Sequence, residues 1–201
     1  MKHLFVFSII ALLAGLPLSV SAERGSQTEK AVFAGGCFWC MQPPYDELEG
    51  VVSTQVGYSG GNVEEPSYDQ VTGGGTGHLE VMRVEYDPET VSYEQLLDVF
   101  WKNVDPLDDG GQFCDRGYHY TTAIFVASEA QRKAAERSKQ ALVESGQFDE
   151  EIVTPIRDAE PFYLAEEYHQ DYYQKRPVRY RFYRSSCGRD DRLDELWGDS
   201  R

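Results

Sequence analysis

A chain of 201 residues with 34 acidic and 19 basic side chains carries a formal charge of −15. That excess repels nucleic acid phosphates and anionic lipid surfaces, so neither is expected as a partner. The length suits one domain with a large core, which does not need covalent staples. The four cysteines, Cys37, Cys40, Cys114 and Cys187, therefore invite a chemical reading beside a structural one. Sequence alone does not choose among their pairings.

The chain starts with a basic pair, Lys2 and His3, and an apolar run over 4–18 that ends before Val20-Ser21-Ala22. The run is short for a membrane span of about 20 residues, and the small residues suit a cleavage site. A signal peptide is expected over 1–22 and a flexible leader over 23–29. One folded domain is expected over 30–201, giving a secreted or periplasmic protein free of the membrane after cleavage.

Residues 30–36 read as an apolar strand closing on Gly35-Gly36, and 37–48 as a helix shortened or kinked by Pro43 and Pro44. Residues 51–58 are rich in β-branched side chains and predict a strand. Residues 59–78 are rich in Gly, Asn, Pro and Ser and predict a long loop, which in a compact domain is usually functional. Alternation predicts a strand over 79–86. Ser92, with Gln95 three residues later, opens a helix over 92–104. Residues 105–117 form an Asp/Gly loop, and 120–127 a strand. Ser128 with Gln131 predicts a capping box on a helix over 128–145, ended by Gly146. Pro155 puts the strand over 152–156 at a sheet edge. Residues 163–175 look helical, and the segment from 177 reads as a loop-rich tail. The class is α+β, a two-layer sandwich with helices against a mixed, mostly antiparallel sheet.

Cys37 follows Gly35-Gly36 at a helix start, where free N–H groups and the helix dipole favour a thiolate. Cys37 and Cys40 together allow a redox dithiol, half a zinc site, or one reactive and one incidental cysteine. Zinc is disfavoured because Cys114 and Cys187 are single and far apart. Two other readings stand beside a reactive Cys37: a dithiol–disulfide oxidoreductase using Cys37 and Cys40, and a disulfide-stapled binding domain.

The run Gly36-Cys37-Phe38-Trp39 closely resembles the motif of A-type peptide methionine sulfoxide reductases. The resemblance continues through Val56-Gly57-Tyr58-Ser59-Gly60-Gly61, Pro66-Ser67-Tyr68, Thr76-Gly77-His78-Leu79-Glu80, Asp115-Arg116-Gly117 and Tyr120, covering about residues 32–170. It implies a ferredoxin-like fold and reduction of the S epimer of methionine sulfoxide, free or in proteins. It implies no bound cofactor or metal, a thioredoxin-like dithiol as electron donor, and a monomer.

By the same resemblance Cys37 is the nucleophile and Glu80 the acid that protonates the sulfoxide oxygen. Tyr68 and Tyr120 are hydroxyl donors to that oxygen. Phe38 and Trp39 wall the pocket for the substrate methyl, and Asp115 shapes the site. Glu80 must hold a proton near neutral pH, so burial should raise its pKa. A Cys37 sulfenic acid would then need a second thiol. Cys187, in the turn Ser185-Ser186-Cys187-Gly188 near the C terminus, is the first choice, with Cys40 and Cys114 as alternatives. Cys40 stands where the family usually has Gly, and Cys114 where Asn is common. His119-Tyr120-Thr121-Thr122 replaces the common Gln-Tyr-Arg-Ser. His78, His119 and His169 read as local or rim residues.

Overall fold

The computed structural model describes residues 27–198. The expected signal peptide and most of the leader lie outside the described residues. Of the leader, Thr28 donates its hydroxyl to Glu85 at 2.6 Å, and Glu29 already begins the first strand.

In chain order the elements start with β1 (Glu29–Gly35), α1 (Phe38–Asp46), β2 (Val51–Ser59), α2 (Tyr68–Thr72), β3 (Leu79–Tyr86) and α3 (Tyr93–Trp101). A small hairpin follows, β4 (Gly111–Gln112) with β5 (Asp115–Arg116), then a 3₁₀ turn over Tyr118–Tyr120 and β6 (Thr122–Val126). The chain ends with α4 (Glu129–Ser145), β7 (Ile156–Asp158), β8 (Tyr163–Leu164), α5 (Tyr172–Lys175), α6 (Pro177–Ser186) and α7 (Arg189–Trp197). No helix among the described residues is long and apolar enough to cross a membrane.

The main sheet runs β7-β6-β1-β3-β2-β8. Every pairing is antiparallel except β6 with β7. Its inner strands, β6-β1-β3-β2, are linked as β1-α1-β2-β3-α3-β6, which is the ferredoxin-like α+β arrangement expected.

The alternation of β3 determines what each face meets. Met82, Val84 and Tyr86 point to the helices, where they bury with Phe33, Met41, Tyr45, Leu96 and Phe100. Leu79 and Val81 bury on the opposite face with Phe125. Glu80 shares the parity of Met82, so the strand's own period drives a carboxyl into the apolar layer beneath α1.

Several expectations are corrected. Residues 59–78 include a helix, α2, capped by Ser67 and Gln70 in a reciprocal box, a Ser-x-x-Gln signal that the sequence displays. On α4, Ser128 accepts from the Gln131 N–H as expected, but the Gln131 carboxamide accepts from Ala127 instead, so the box is half-made. The strand expected over 152–156 begins only at Ile156, and it is an edge strand. Pro155 lacks an N–H, and its carbonyl accepts from Ile124 at 3.0 Å. Residues 163–175 are mostly not helix: Tyr163 pairs with Tyr58 across the sheet, and only α5 is helical. The tail expected to be loop-rich is two helices, with Pro177 at the favoured first position of α6.

Candidate active site

The chain leaves β1 through Gly35-Gly36 and enters α1 within two residues. Gly36 has φ +78°, and a Cβ there would stand 2.5 Å from Cβ of Gln112, so both conformation and space require glycine. Cys37 is the N-cap of α1, yet its side chain caps nothing, which leaves the sulfur available. α1 ends at Asp46 rather than Leu48, and Pro43 and Pro44 lie inside it, each without an N–H to donate to the turn before.

The first free N–H of that helix, from Phe38, donates to Oε2 of Glu80 at 3.0 Å. Glu80 is 1% exposed, and burial raises its pKa well above the ordinary carboxyl range. The Phe38 N–H opposes that rise, and the nearby Asp115 charge adds to it. Glu80 is buried and its pKa is raised by that burial, as expected.

Tyr68, the first residue of α2, and Tyr120, the last of the 3₁₀ turn, share a hydrogen bond between their hydroxyls. Burial raises both phenols, so both stay protonated as donors. Tyr68 is held from behind by Glu166, which accepts its backbone N–H at 2.8 Å and the Tyr58 hydroxyl at 2.9 Å.

Phe38 is buried against Tyr58 and His169, with ring centroids 6.0 and 5.0 Å away. Trp39 is half-buried and stacks on Tyr172 at 3.8 Å. Its indole N–H donates to Nδ1 of His169 at 3.0 Å. Burial lowers the His169 pKa to about 4, so the ring is neutral and can accept. Asp115 accepts the Tyr183 hydroxyl, and burial raises its pKa although that bond opposes the rise.

The two cysteines of α1 behave as a pair. Cys37 and Cys40 are buried free thiols that share a hydrogen bond. Burial pushes Cys37 up, and the charges of Cys40 and Glu80 push it further. The hydrogen bond from Cys37 lowers Cys40 to about 7, against burial and with help from Arg189 and Arg184. The expected depression of Cys37 by the helix N-terminus is therefore outweighed by burial in the resting site, while the neighbours of Cys40 lower it.

Cys187, expected as a free thiol in a turn, closes α6 and is bonded to Cys114 across 73 residues of sequence, with the Cα atoms 5.0 Å apart. This disulfide sits beside Asp115, with Sγ of Cys187 4.0 Å from Oδ2. Cys114, Asp115 and Cys187 are the one trio of metal-ligand types that converges among the described residues, and its sulfurs are joined to each other.

The C-terminal helices contribute side chains that the sequence reading left unassigned. Tyr183 of α6 bonds both Asp115 and Cys37. Tyr172 and Tyr180 bury with Cys40. Arg189 of α7 is 1% exposed, donates to the carbonyls of Gly35 and Asn103, and lies over the Phe113 ring. The available signal was the stripe Tyr180, Tyr183 and Cys187 at helical spacing. His78 is a local hydrogen-bonding residue as expected, accepting from Gly61 at 3.1 Å, whereas His169 accepts from Trp39 across 130 residues of sequence. His119 lies at the rim against Tyr120.

A reactive cysteine at a helix start, a buried acid bonded beside it and two protonated phenols, on this α+β frame, define a thiol-dependent oxidoreductase. The model of the family described as peptide methionine sulfoxide reductase matches residues 29–201. The chain belongs to that family. It is 51% identical over 170 residues to the peptide methionine sulfoxide reductase MsrA of Bacillus licheniformis, covering 85% of this chain and 94% of the relative. It is 49% identical over 170 residues to that of Bacillus subtilis, covering 85% and 96%. Among solved structures it is similar to reduced Mxr1 from Saccharomyces cerevisiae, with TM-score 0.69 and 31% identity over 75% of this chain and 87% of that one. The methionine sulfoxide reductase A of Corynebacterium diphtheriae gives TM-score 0.66 and 31% identity over 75% and 76%.

Proposed function

We propose that this chain reduces the S epimer of methionine sulfoxide, free or in proteins, with Cys37 as nucleophile and Glu80 as general acid. The observation that carries the reading is the Phe38 N–H bond, which holds the buried Glu80 carboxyl at the start of α1, next to the residue that follows Cys37.

The substrate methyl rests against Phe38 and Trp39, and the oxygen points at Glu80, Tyr68 and Tyr120. The Cys37 thiolate attacks the sulfoxide sulfur while Glu80 gives its proton to the oxygen. The hydroxyl passes to Cys37, giving a sulfenic acid, and methionine leaves as the thioether. Tyr68 and Tyr120 stabilise the charge that grows on the oxygen. A neutral Glu80 also removes one of the charges that keep Cys37 protonated. The proton of Cys37 can pass along its hydrogen bond to Cys40, so the thiolate sits where it is needed once substrate binds.

Cys40 then replaces Cys187 as the first choice of resolving thiol. Cys187 is occupied by Cys114, whereas Cys40 already touches Cys37. Attack by Cys40 on the sulfenic sulfur forms a Cys37–Cys40 disulfide and releases water. Residues three apart on a helix have Cβ atoms about 5–6 Å apart, wider than a disulfide allows. The non-helical backbone of Cys37 supplies the adjustment. A thioredoxin-like dithiol reduces the disulfide and closes the cycle. The signal peptide expected over 1–22 supports export to a secreted or periplasmic location, where such a dithiol must be supplied.

The test offers the purified protein separate S and R epimers with dithiothreitol, then one equivalent of S epimer without reductant followed by mass analysis. Only the S epimer should be consumed, and the single turnover should leave a Cys37–Cys40 disulfide. In Cys40→Ser it should leave one added oxygen on Cys37, and Cys37→Ser should be inactive. Consumption of the R epimer sinks the stereochemical assignment, and a Cys37–Cys187 linkage sinks the assignment of Cys40.

A further inference from the structure

Beside the site, α5 and α6 frame a groove of about 810 Å³ that includes Tyr168, Tyr172, Arg176, Val178, Arg179 and Phe182. It continues the active site, because the Tyr172 ring that lines it also stacks on Trp39 at 3.8 Å. Its floor is apolar and uncovered: Val178 and Phe182, one turn apart on α6, are each 74% exposed, and Tyr168 is 57% exposed. The opposite side of the same helix is committed inward through Tyr180 and Tyr183. Exposure of two large apolar side chains at helical spacing is unusual in so polar a chain, and such patches mark contact sites.

The charge of the groove is opposite to that of the protein. Lys175 is engaged by Glu167 at 2.7 Å, but Arg176 and Arg179 have no ion pair among the described residues. On a chain of net charge −15, two unpaired guanidiniums beside an apolar floor form a local basic site.

We infer that this groove receives the polypeptide that flanks an oxidised methionine and favours acidic residues there, through Arg176 and Arg179, with Phe182 and Val178 packing against apolar side chains of the same segment. The inference rests on the reading of Trp39 as a wall of the substrate pocket, since the chain bearing a sulfoxide seated there must leave along Tyr172. It makes the enzyme selective among protein substrates in a way that free methionine sulfoxide does not reveal.

Steady-state turnover should be compared on two peptides of equal length, each with one central S-sulfoxide, flanked by glutamates in one and lysines in the other. Free N-acetyl methionine sulfoxide serves as the small substrate, and dithiothreitol as reductant. The glutamate peptide should show about tenfold higher kcat/KM than the lysine peptide at low salt, from two exposed ion pairs, and the gap should close as salt screens them. In an Arg176→Glu/Arg179→Glu double variant the preference should vanish or invert while turnover of the small substrate is unchanged. Phe182→Ala should raise KM for both peptides and leave kcat alone. Equal kcat/KM for the two peptides overturns the inference, as does a double variant that loses peptide and small substrate alike. An effect that arises only when a protein dithiol replaces dithiothreitol overturns it as well, by assigning the groove to the reductant. Failure of the small substrate in the unaltered protein falls instead on the proposed activity.

Discussion

The molecule carries two cysteine pairs built on opposite principles. Cys37 and Cys40 are three residues apart, fully buried, and remain thiols. Cys114 and Cys187 are 73 residues apart, partly exposed, and bonded. The close pair is surrounded by groups that alter its proton affinity: Glu80, Arg189, Arg184 and the Tyr183 hydroxyl. The distant pair ties the end of α6 to the hairpin that carries Asp115, so it holds Tyr183 over Cys37. From sequence, Cys187 is expected as the free partner of Cys37; the structure instead bonds Cys187 to Cys114 and leaves Cys37 and Cys40 as the free pair.

The largest expected effect tests the close pair through its acid. Glu80→Gln keeps an oxygen to accept from Phe38 but removes the proton, so kcat/KM should fall about 10²- to 10⁴-fold. Activity of the unaltered enzyme should rise with pH through about 7, where the pair yields its first proton, and fall again as Glu80 ionises. The variant should lose the falling limb. The same substitution should stabilise the fold. Burial raises the folded-state pKa of Glu80 above its unfolded value, so its favourable contribution is complete only below that unfolded value, about 4.3. It is lost as pH rises toward the folded-state pKa. The melting temperature of Glu80→Gln should therefore exceed that of the unaltered protein at pH 8 by a few degrees, about 1–2 kcal/mol, and match it at low pH. A variant no more stable at pH 8 than at pH 4, relative to the parent, would mean that Glu80 is ionised in the resting site.

A test of the distant pair separates structure from turnover. Cys114→Ser/Cys187→Ser opens a loop of 73 residues, for which chain entropy gives a loss of about 4 kcal/mol, read as a lower denaturant midpoint. A single turnover should still end in a Cys37–Cys40 disulfide, with a rate reduced only several-fold through a looser Tyr183. If the double variant keeps full stability and stalls after one turnover, the distant pair belongs to recycling.

The smallest effect concerns the aromatic wall. His169→Phe fills the space yet leaves the Trp39 indole N–H without its acceptor, which should raise KM about five- to tenfold with kcat nearly unchanged. A loss confined to kcat would instead place His169 with the reacting atoms.

Much of this was legible in the residues. Period two in 79–86 marked β3 to the residue, and Ser92 with Gln95 marked the start of α3 as a full capping box. Gly35-Gly36 before Cys37 marked the strand-to-helix turn. The tail was not legible, because the inward side of α6 carries Tyr180, which is buried, and Tyr183, Arg184 and Cys187, which are half-buried, rather than aliphatic side chains. Those polar residues bury only because Asp115, Asp190, Cys37 and Cys114 meet them from elsewhere in the chain.

The sequence by itself determined the α+β class and the position of Cys37 at a helix start, which follow from local periodicity and glycine conformation; Glu80, Tyr68 and Tyr120 came from the resemblance to the family. Only the tertiary structure decided which thiols are paired and that the last helices complete the site. Those outcomes depend on burial and on charges brought together across as many as 154 residues, as between Arg189 and Gly35. Desolvation and Coulomb interactions act through space, and no local pattern records them.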